Sequence, residues 1–291
     1  MSWLIGQSII NGLLIGGVYA LIAVSLTIIF GVMKIVNFAQ GEFLMVGMYA
    51  TWLLYSAIGG SPYLLIIPVA FIMFIFGWLV YKILINPVVG KGDTAYILLT
   101  VGLSFFLQNA AQLIWTADYH TVETTIKGHS IQLGELSILT PRLIAFLVAI
   151  VLVAVIHIFL KKTDIGRAMR ATAENSQIAS MLGINPVVTY AIAFSIGAVL
   201  AGLAGVLLTP MFYVFPRVGA LFTTTAFVVV VLGGMGNITG ALLGGLLIGL
   251  VEAFTGSFIA LDLAPVGTFV VFLLALLLKP EGLFGGGTRK A

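Results

Sequence analysis

Charge is absent from this chain for long stretches at a time. No charged residue lies between Leu4 and Phe30. There are 39 uncharged residues between Glu42 and Lys82, 24 between Asp93 and Asp118, and 34 between Arg217 and Glu252. Further apolar runs cover Leu143–Leu160, Val187–Leu208 and Leu263–Leu278. A helix needs ~20 apolar residues to cross the hydrocarbon core of a bilayer. The run after Glu42 therefore holds two helices, split at Gly59–Pro62. The run after Arg217 is too long for one and is broken by "GGMGNITG", Gly233 to Gly240, which leaves two short spans or a re-entrant hairpin. The pattern predicts an all-α integral membrane protein, a polytopic helix bundle of about 8–9 membrane segments. The runs are continuous, which excludes the ~10-residue alternating strands of a membrane β-barrel.

Composition points the same way. The chain is 61% hydrophobic and only 8% charged, where a soluble domain carries about 25% charged residues. The bilayer is its solvent, and a single membrane domain over residues 1–291 is expected. The first apolar run has no positive n-region and is longer than a signal-peptide core, so it reads as a retained first span. There is no cysteine, which removes disulfides and thiolate chemistry. His120, His129 and His157 have no metal-ligand spacing, and no nucleophile–base arrangement is legible. No cofactor or metal site is expected on this chain, and a net charge of +3 is too small to argue for nucleic acid.

The few positive charges set an orientation, because cytoplasmic loops are enriched in Lys and Arg. With the loop at Thr163 inside, the cytoplasm receives Lys34, Lys82, Lys91, Lys161, Lys162, Arg167, Arg170, Lys279, Arg289 and Lys290. The outside receives Lys127, Arg142 and Arg217. The N-terminus is then outside and the C-terminus cytoplasmic. In the longest outer loop, "TVETTI" and "SIQLGEL" alternate around "KGH" and suggest a β-hairpin. Pairs four residues apart, Gly12/Gly16, Gly240/Gly244, Gly245/Gly249 and Gly197/Ala201, suit close helix packing in lipid.

Six of the 23 charged residues gather between Lys161 and Glu174. Asp164 is placed to cap a short helix carrying Arg167 and Arg170. In the following "ATAENSQIASMLGIN", Ile178, Met181 and Leu182 recur at helical spacing, and Gly183 is a natural stop. Spacing alone leaves two readings open, a helix lying on lipid headgroups or one presented to a partner.

That stretch resembles the coupling segment of ABC importer permeases, with Ala173, Glu174, Ala179 and Gly183 at the matching places. "GGVYALIAVSLTIIFGVMKIVNFAQGEFLMVGMY", Gly16 to Tyr49, and "VVVLGGMGNITGALLGGLLIGLVEA", Val229 to Ala253, are similar to permeases of branched-chain amino-acid ABC importers, of the Liv H type. Gln40 stands where that family has His as often as Gln. The resemblance implies a five-part machine in the bacterial cytoplasmic (inner) membrane. It would contain this chain, a sister permease of the Liv M type or a second copy, two cytoplasmic ATPases holding ATP and Mg, and an extracytoplasmic substrate-binding protein. The ATPase-coupling residues it implies are Arg167, Arg170, Glu174, Ile178, Ala179, Met181, Leu182 and Gly183. No GxxxxGK[ST] phosphate loop occurs in the chain, as expected if ATP is hydrolysed in trans.

Polar groups at breaks and inside spans are the pathway candidates: Asn37, Gln40, Glu42, Asn237 and Glu252. Near the cytoplasmic end, Glu42 would pair with Lys34 if the chain folds back. Glu252 lies well inside a segment, where an acid is a functional suspect. Gln108, Asn109 and Gln112 form a polar patch expected to bond between helices. Two other functions stay open at this stage: a related importer for urea or short amides, and a standalone ion-coupled carrier.

Overall fold

A computed structural model describes residues 2–124 and 128–284. Arg289 and Lys290, counted above on the cytoplasmic side, and Lys127, counted outside, lie beyond the described residues. Eleven helices and one hairpin follow in the order α1 Ser2–Met33, α2 Gln40–Ile58, α3 Ile66–Val80, α4 Asp93–Trp115, β1 Ser130–Leu133, β2 Leu136–Leu139, α5 Thr140–Lys162, α6 Asp164–Glu174, α7 Ser176–Met181, α8 Pro186–Leu208, α9 Val218–Gly233, α10 Ile238–Phe258 and α11 Ala264–Leu278. Among the described residues, seven helices are long and apolar enough to cross a membrane, and α9 is a shorter apolar helix. The chain is a polytopic membrane protein.

Helices α1 and α8 form the centre. In each, 83% of the most apolar window is buried, against 17% in α4 and α11. The sequence of α8, "YAIAFSIGAVLAGLAGVLL", shows why. Lipid offers helices no hydrophobic drive to associate, so close backbone approach between small residues has to supply the attraction. Here Gly197 faces Ile29 and Ser25 of α1, Gly202 faces Met73 of α3, and Gly205 faces Leu44 and Met48 of α2. On its other side α1 crosses α10 with glycine against glycine. A Cβ at Gly16 would lie 2.8 Å from the Gly245 carbonyl, and one at Gly12 would lie 2.9 Å from that of Gly249. The outer helices instead turn large apolar side chains outward, among them Leu98, Phe105 and Phe106 of α4 and Leu273 and Leu277 of α11.

The hairpin exists, with a register different from the one the alternation suggested. Its strands are "SIQL" and "LSIL", and they pair through Ser130↔Leu139 and Leu133↔Leu136. The turn is Gly134–Glu135, with Gly134 at φ +64°. A two-residue turn that needs a positive φ at its first position selects Gly there; Gly128 of "KGH" also has a positive φ, +92°, so glycine alone did not locate the turn. Thr121–Thr124 is not a strand, and the rest of "TVETTI" lies outside the described residues. The Gln7 amide joins the outer edge of β2, donating to the Ser137 carbonyl at 2.7 Å and accepting from its N–H at 3.0 Å. The hairpin is thereby fastened to the start of α1. At the same end His120 and Val214 exchange two backbone hydrogen bonds of 2.9 Å. His120 also stacks on Trp52 at 4.0 Å, and Trp115 stacks on Tyr49 at 4.3 Å.

Candidate functional sites: a protruding segment and a polar interior

The charged segment is two helices, α6 and α7, broken at Asn175. Thr163 caps α6, its hydroxyl accepting from the Gly166 N–H at 3.0 Å. Asp164, expected to be the cap, is instead the first helical residue, and there it pairs with Arg167 one turn on. Both groups are exposed, so this pair contributes little stability. What anchors α6 is its buried face of Gly166, Met169 and Thr172, packed on α5, α8 and α1. Asn175 then caps α7, accepting from Gln177 and Ile178 at 3.0 Å each. An Asn capping the following helix cannot also continue the preceding one, which is why the stretch divides there.

Helix α7 ends in a Schellman motif. The Ile184 N–H bonds to the Ala179 carbonyl and the Gly183 N–H to that of Ser180, both at 3.0 Å. Gly183 adopts φ +85°, the left-handed conformation this motif places at its C′ position. The result is a rigid, short projection. Ala179 is buried against the bundle, whereas Ile178, Met181 and Leu182 are 56%, 84% and 75% exposed. Arg167, Arg170 and Glu174 are also exposed. Three large apolar side chains are thus held in the open beside charges, outside the packed core.

The polar residues after α1 are not an interfacial pair. Lys34 is exposed and sits over the Phe30 ring at 5.7 Å. Glu42 is 2% exposed, and among the described residues it has no ion pair with Lys34. The chain from Lys34 to Ala39 turns back along α1, so that the Gln40 Nε2 donates to Ser25 Oγ at 2.7 Å. Ser25 lies eight residues, or ~12 Å of helix rise, before the end of α1 at Met33. Asn37 donates to Gln40 at 2.9 Å and accepts from the Ala39 N–H at 3.1 Å, which closes the network. Burying an amide without partners costs several kcal/mol, so each polar group recruits the next. Gln108 of α4 donates to Glu42 Oε1 at 2.7 Å. Asn109 bonds within its own helix and Gln112 is exposed, so of the α4 patch Gln108 is the residue with a bond to another helix among the described residues.

Helix α2 thus begins inside the bundle. So does α9: Gly41 and Gly219, in the first turns of the two helices, pack face to face, and Phe38 lies 5.1 Å from Phe227. Glu252 is in a different place, half-buried on α10. It accepts from the Tyr19 hydroxyl at 3.1 Å. The two line a cavity of about 480 Å³ among α1, α9, α10 and α11, with Thr224, Thr225, Thr268 and Phe222. Tyr19 and Ser25 carry the weaker signal of polar-tipped residues within the first apolar run, which also holds Gln7, Ser8, Asn11 and Thr27. Asn237 caps α10 through the Gly240 N–H at 3.1 Å and donates to the Phe284 carbonyl at 2.7 Å. Both ends of its amide are occupied in holding the α9–α10 turn to the end of the chain.

A small-residue helix bundle with a polar interior is an architecture that suits a membrane permease. Residues 8–279 match the family described as branched-chain amino acid transport system / permease component, and the chain belongs to that family. It is 32% identical to the high-affinity branched-chain amino acid transport system permease protein LivH of Salmonella typhimurium, over 96% of this chain and 95% of that one. It is 34% identical to BraD of Pseudomonas aeruginosa, a permease protein of the same description, over 96% and 95%. It is 28% identical to a probable LivH of Methanocaldococcus jannaschii over 98% and 94%. No solved structure matches it.

Proposed function

We propose that this chain is a membrane-spanning permease subunit of an ABC importer that moves branched-chain amino acids across the bacterial inner membrane. The observation that carries this is the α7 tip. Ile178, Met181 and Leu182 stand exposed on a helix locked at both ends. They lie at the same end of the bundle as Lys161, Lys162, Arg167 and Arg170. That clustering supports a cytoplasmic position, with the N-terminus outside and nine segments in the membrane, α1–α5 and α8–α11. Burying the tip in a groove of a partner ATPase would contribute roughly 1.5 kcal/mol or more per large side chain. ATP and Mg would be held on two such partners. A sister permease or second copy completes the pathway, and an external binding protein delivers the amino acid.

In this reading the Glu252 cavity lines the route. Its carboxylate and threonine hydroxyls are acceptors for the ammonium group of a zwitterion, and its aromatic walls suit an aliphatic side chain. The test is leucine uptake into vesicles. Uptake is expected to need all partners and ATP hydrolysis, and the purified chain alone is expected to hydrolyse no ATP. Uptake by this chain alone, driven by an ion gradient, would replace the importer with a carrier.

A further inference from the structure

Helices α5 and α10 both pack on α1, and a cleft separates them where α6 folds over. At its mouth is a cavity of about 340 Å³, rimmed by His157, Lys161 and Arg170 and by the first residues of α10. It runs on into a second space of about 220 Å³ lined by Ile150, Val153, Ala154 and Leu242, with His157, Ile238 and Thr239 common to both. None of the residues lining either space is acidic. Among the described residues, no carboxylate pairs with Lys161 or Arg170.

The mouth also holds donors that have no partner among the described residues. Asn237 caps the Gly240 N–H, but Ile238 and Thr239 precede it, and the first amides of a helix have no partner within it. Thr27, which lines the cavity, is 1% exposed, and its hydroxyl has no hydrogen-bond partner among the described residues. Other helical threonines here, such as Thr51, Thr209 and Thr255, bond back to a carbonyl one turn earlier. A buried hydroxyl that forgoes this bond calls for another partner.

We propose that this cleft binds an anionic phospholipid, its phosphate among Lys161, Arg170 and the α10 N-terminus and one acyl chain along Val153, Ala154 and Leu242. Two cations, a helix N-terminus and a spare hydroxyl together suit a phosphate. The apolar continuation decides for a lipid over a free anion, because inorganic phosphate has nothing to place there. Its depth suits the part of an acyl chain nearest the headgroup: Ile150 lies seven residues, or ~10 Å, along α5 from His157, away from the charged end. The flanking face of α5, Leu147, Val151, Val155 and Ile158, is exposed and apolar, as lipid contact requires. Basic pockets between membrane helices on the cytoplasmic side recur as headgroup sites. Assignment to the inner leaflet rests on the orientation proposed above. Because Arg170 belongs to α6, the lipid would brace the root of the protruding segment.

The test uses the permease complex, stripped of lipid in detergent and exposed to vesicles of equal parts phosphatidylcholine and phosphatidylglycerol. Retained lipid is measured by mass spectrometry, a readout independent of transport. Phosphatidylglycerol is expected to be retained over phosphatidylcholine by roughly tenfold or more. Lys161→Gln with Arg170→Gln should abolish the preference. Ala154→Trp, which fills the cleft without changing charge, should abolish retention. A phosphatidylglycerol with a photoactivatable acyl tail should label the wild-type protein between Ile150 and Lys161 or at Leu242, which needs no variant to fold. Equal retention of the two lipids, displacement by inorganic phosphate with no effect of Ala154→Trp, or labelling confined to other helices would each overturn the proposal. So would a cross-link showing a helix of the sister permease in the cleft.

Discussion

Gln108 Nε2 donates to Glu42 Oε1 at 2.7 Å, tying the peripheral helix α4 to the buried start of α2. The other carboxylate oxygen, Oε2, is buried with no partner among the described residues. The charge of Glu42 is therefore a cost and its hydrogen bond a gain, and substitutions separate the two. Gln108→Leu should destabilise the protein by about 1–3 kcal/mol, because it leaves the acceptor unpaired. Glu42→Gln keeps an acceptor for Gln108 and removes the charge, so it should be neutral or stabilising. Unfolding in detergent measures both, and a larger loss from Glu42→Gln than from Gln108→Leu would show that the charge itself is held by something else.

The α1–α10 crossing depends on absent side chains. Gly16→Val would put a Cβ 2.8 Å from the Gly245 carbonyl and 2.9 Å from Leu246 Cα. Backbone cannot rotate aside as a side chain can, so the helices must separate. A loss of about 1–3 kcal/mol or more is expected. Gly102→Ala on α4 meets nothing within 4 Å and should leave the thermal midpoint in detergent unchanged or slightly raised.

Met181→Asp should abolish ATPase capture by the purified permease and uptake with it, while leaving folding intact. The side chain is 84% exposed, so the fold loses nothing, whereas a docked tip would bury an unpaired charge. Gly183→Val should weaken capture less, by straining a position at φ +85° that Val adopts poorly. A pull-down with the ATPases settles it: retention at wild-type level would assign α7 to the membrane surface.

Cysteine introduced at Ser130 or at Ser176 should react with an impermeant reagent from opposite sides, Ser130 from outside. The chain has no cysteine of its own, so the background is clean. Labelling of both from one side would refute the orientation drawn from the Lys and Arg bias.

Much of the architecture was legible without coordinates. Uncharged runs marked α1–α5, α8, α10 and α11 because a bilayer tolerates nothing else over that length. The break at Gly233–Gly240 separated α9 from α10, and the spacing of Gly12, Gly16, Gly245 and Gly249 announced a close crossing. Each of these signals is local, and each obeys a rule that holds whatever the rest of the chain does. The exposed face of α7 was legible for the same reason, as a spacing of Ile178, Met181 and Leu182 ended by Gly183.

Tertiary structure alone decided where the polar residues went. "VNFAQGE" read as interfacial because it lies near the cytoplasmic end, with Lys34 just before it and Glu42 as its last residue. It folds inward because Ser25 offers an acceptor in mid-helix, and because Gly219 leaves room beside Gly41. Neither partner is near it in sequence. Glu252 likewise gained Tyr19, 233 positions away. A polar side chain in an apolar bundle goes wherever another can satisfy it. The sequence determines that such groups must be paired, and only the tertiary structure, which brings the start of α2 to Ser25 and α10 to Tyr19, determines with whom.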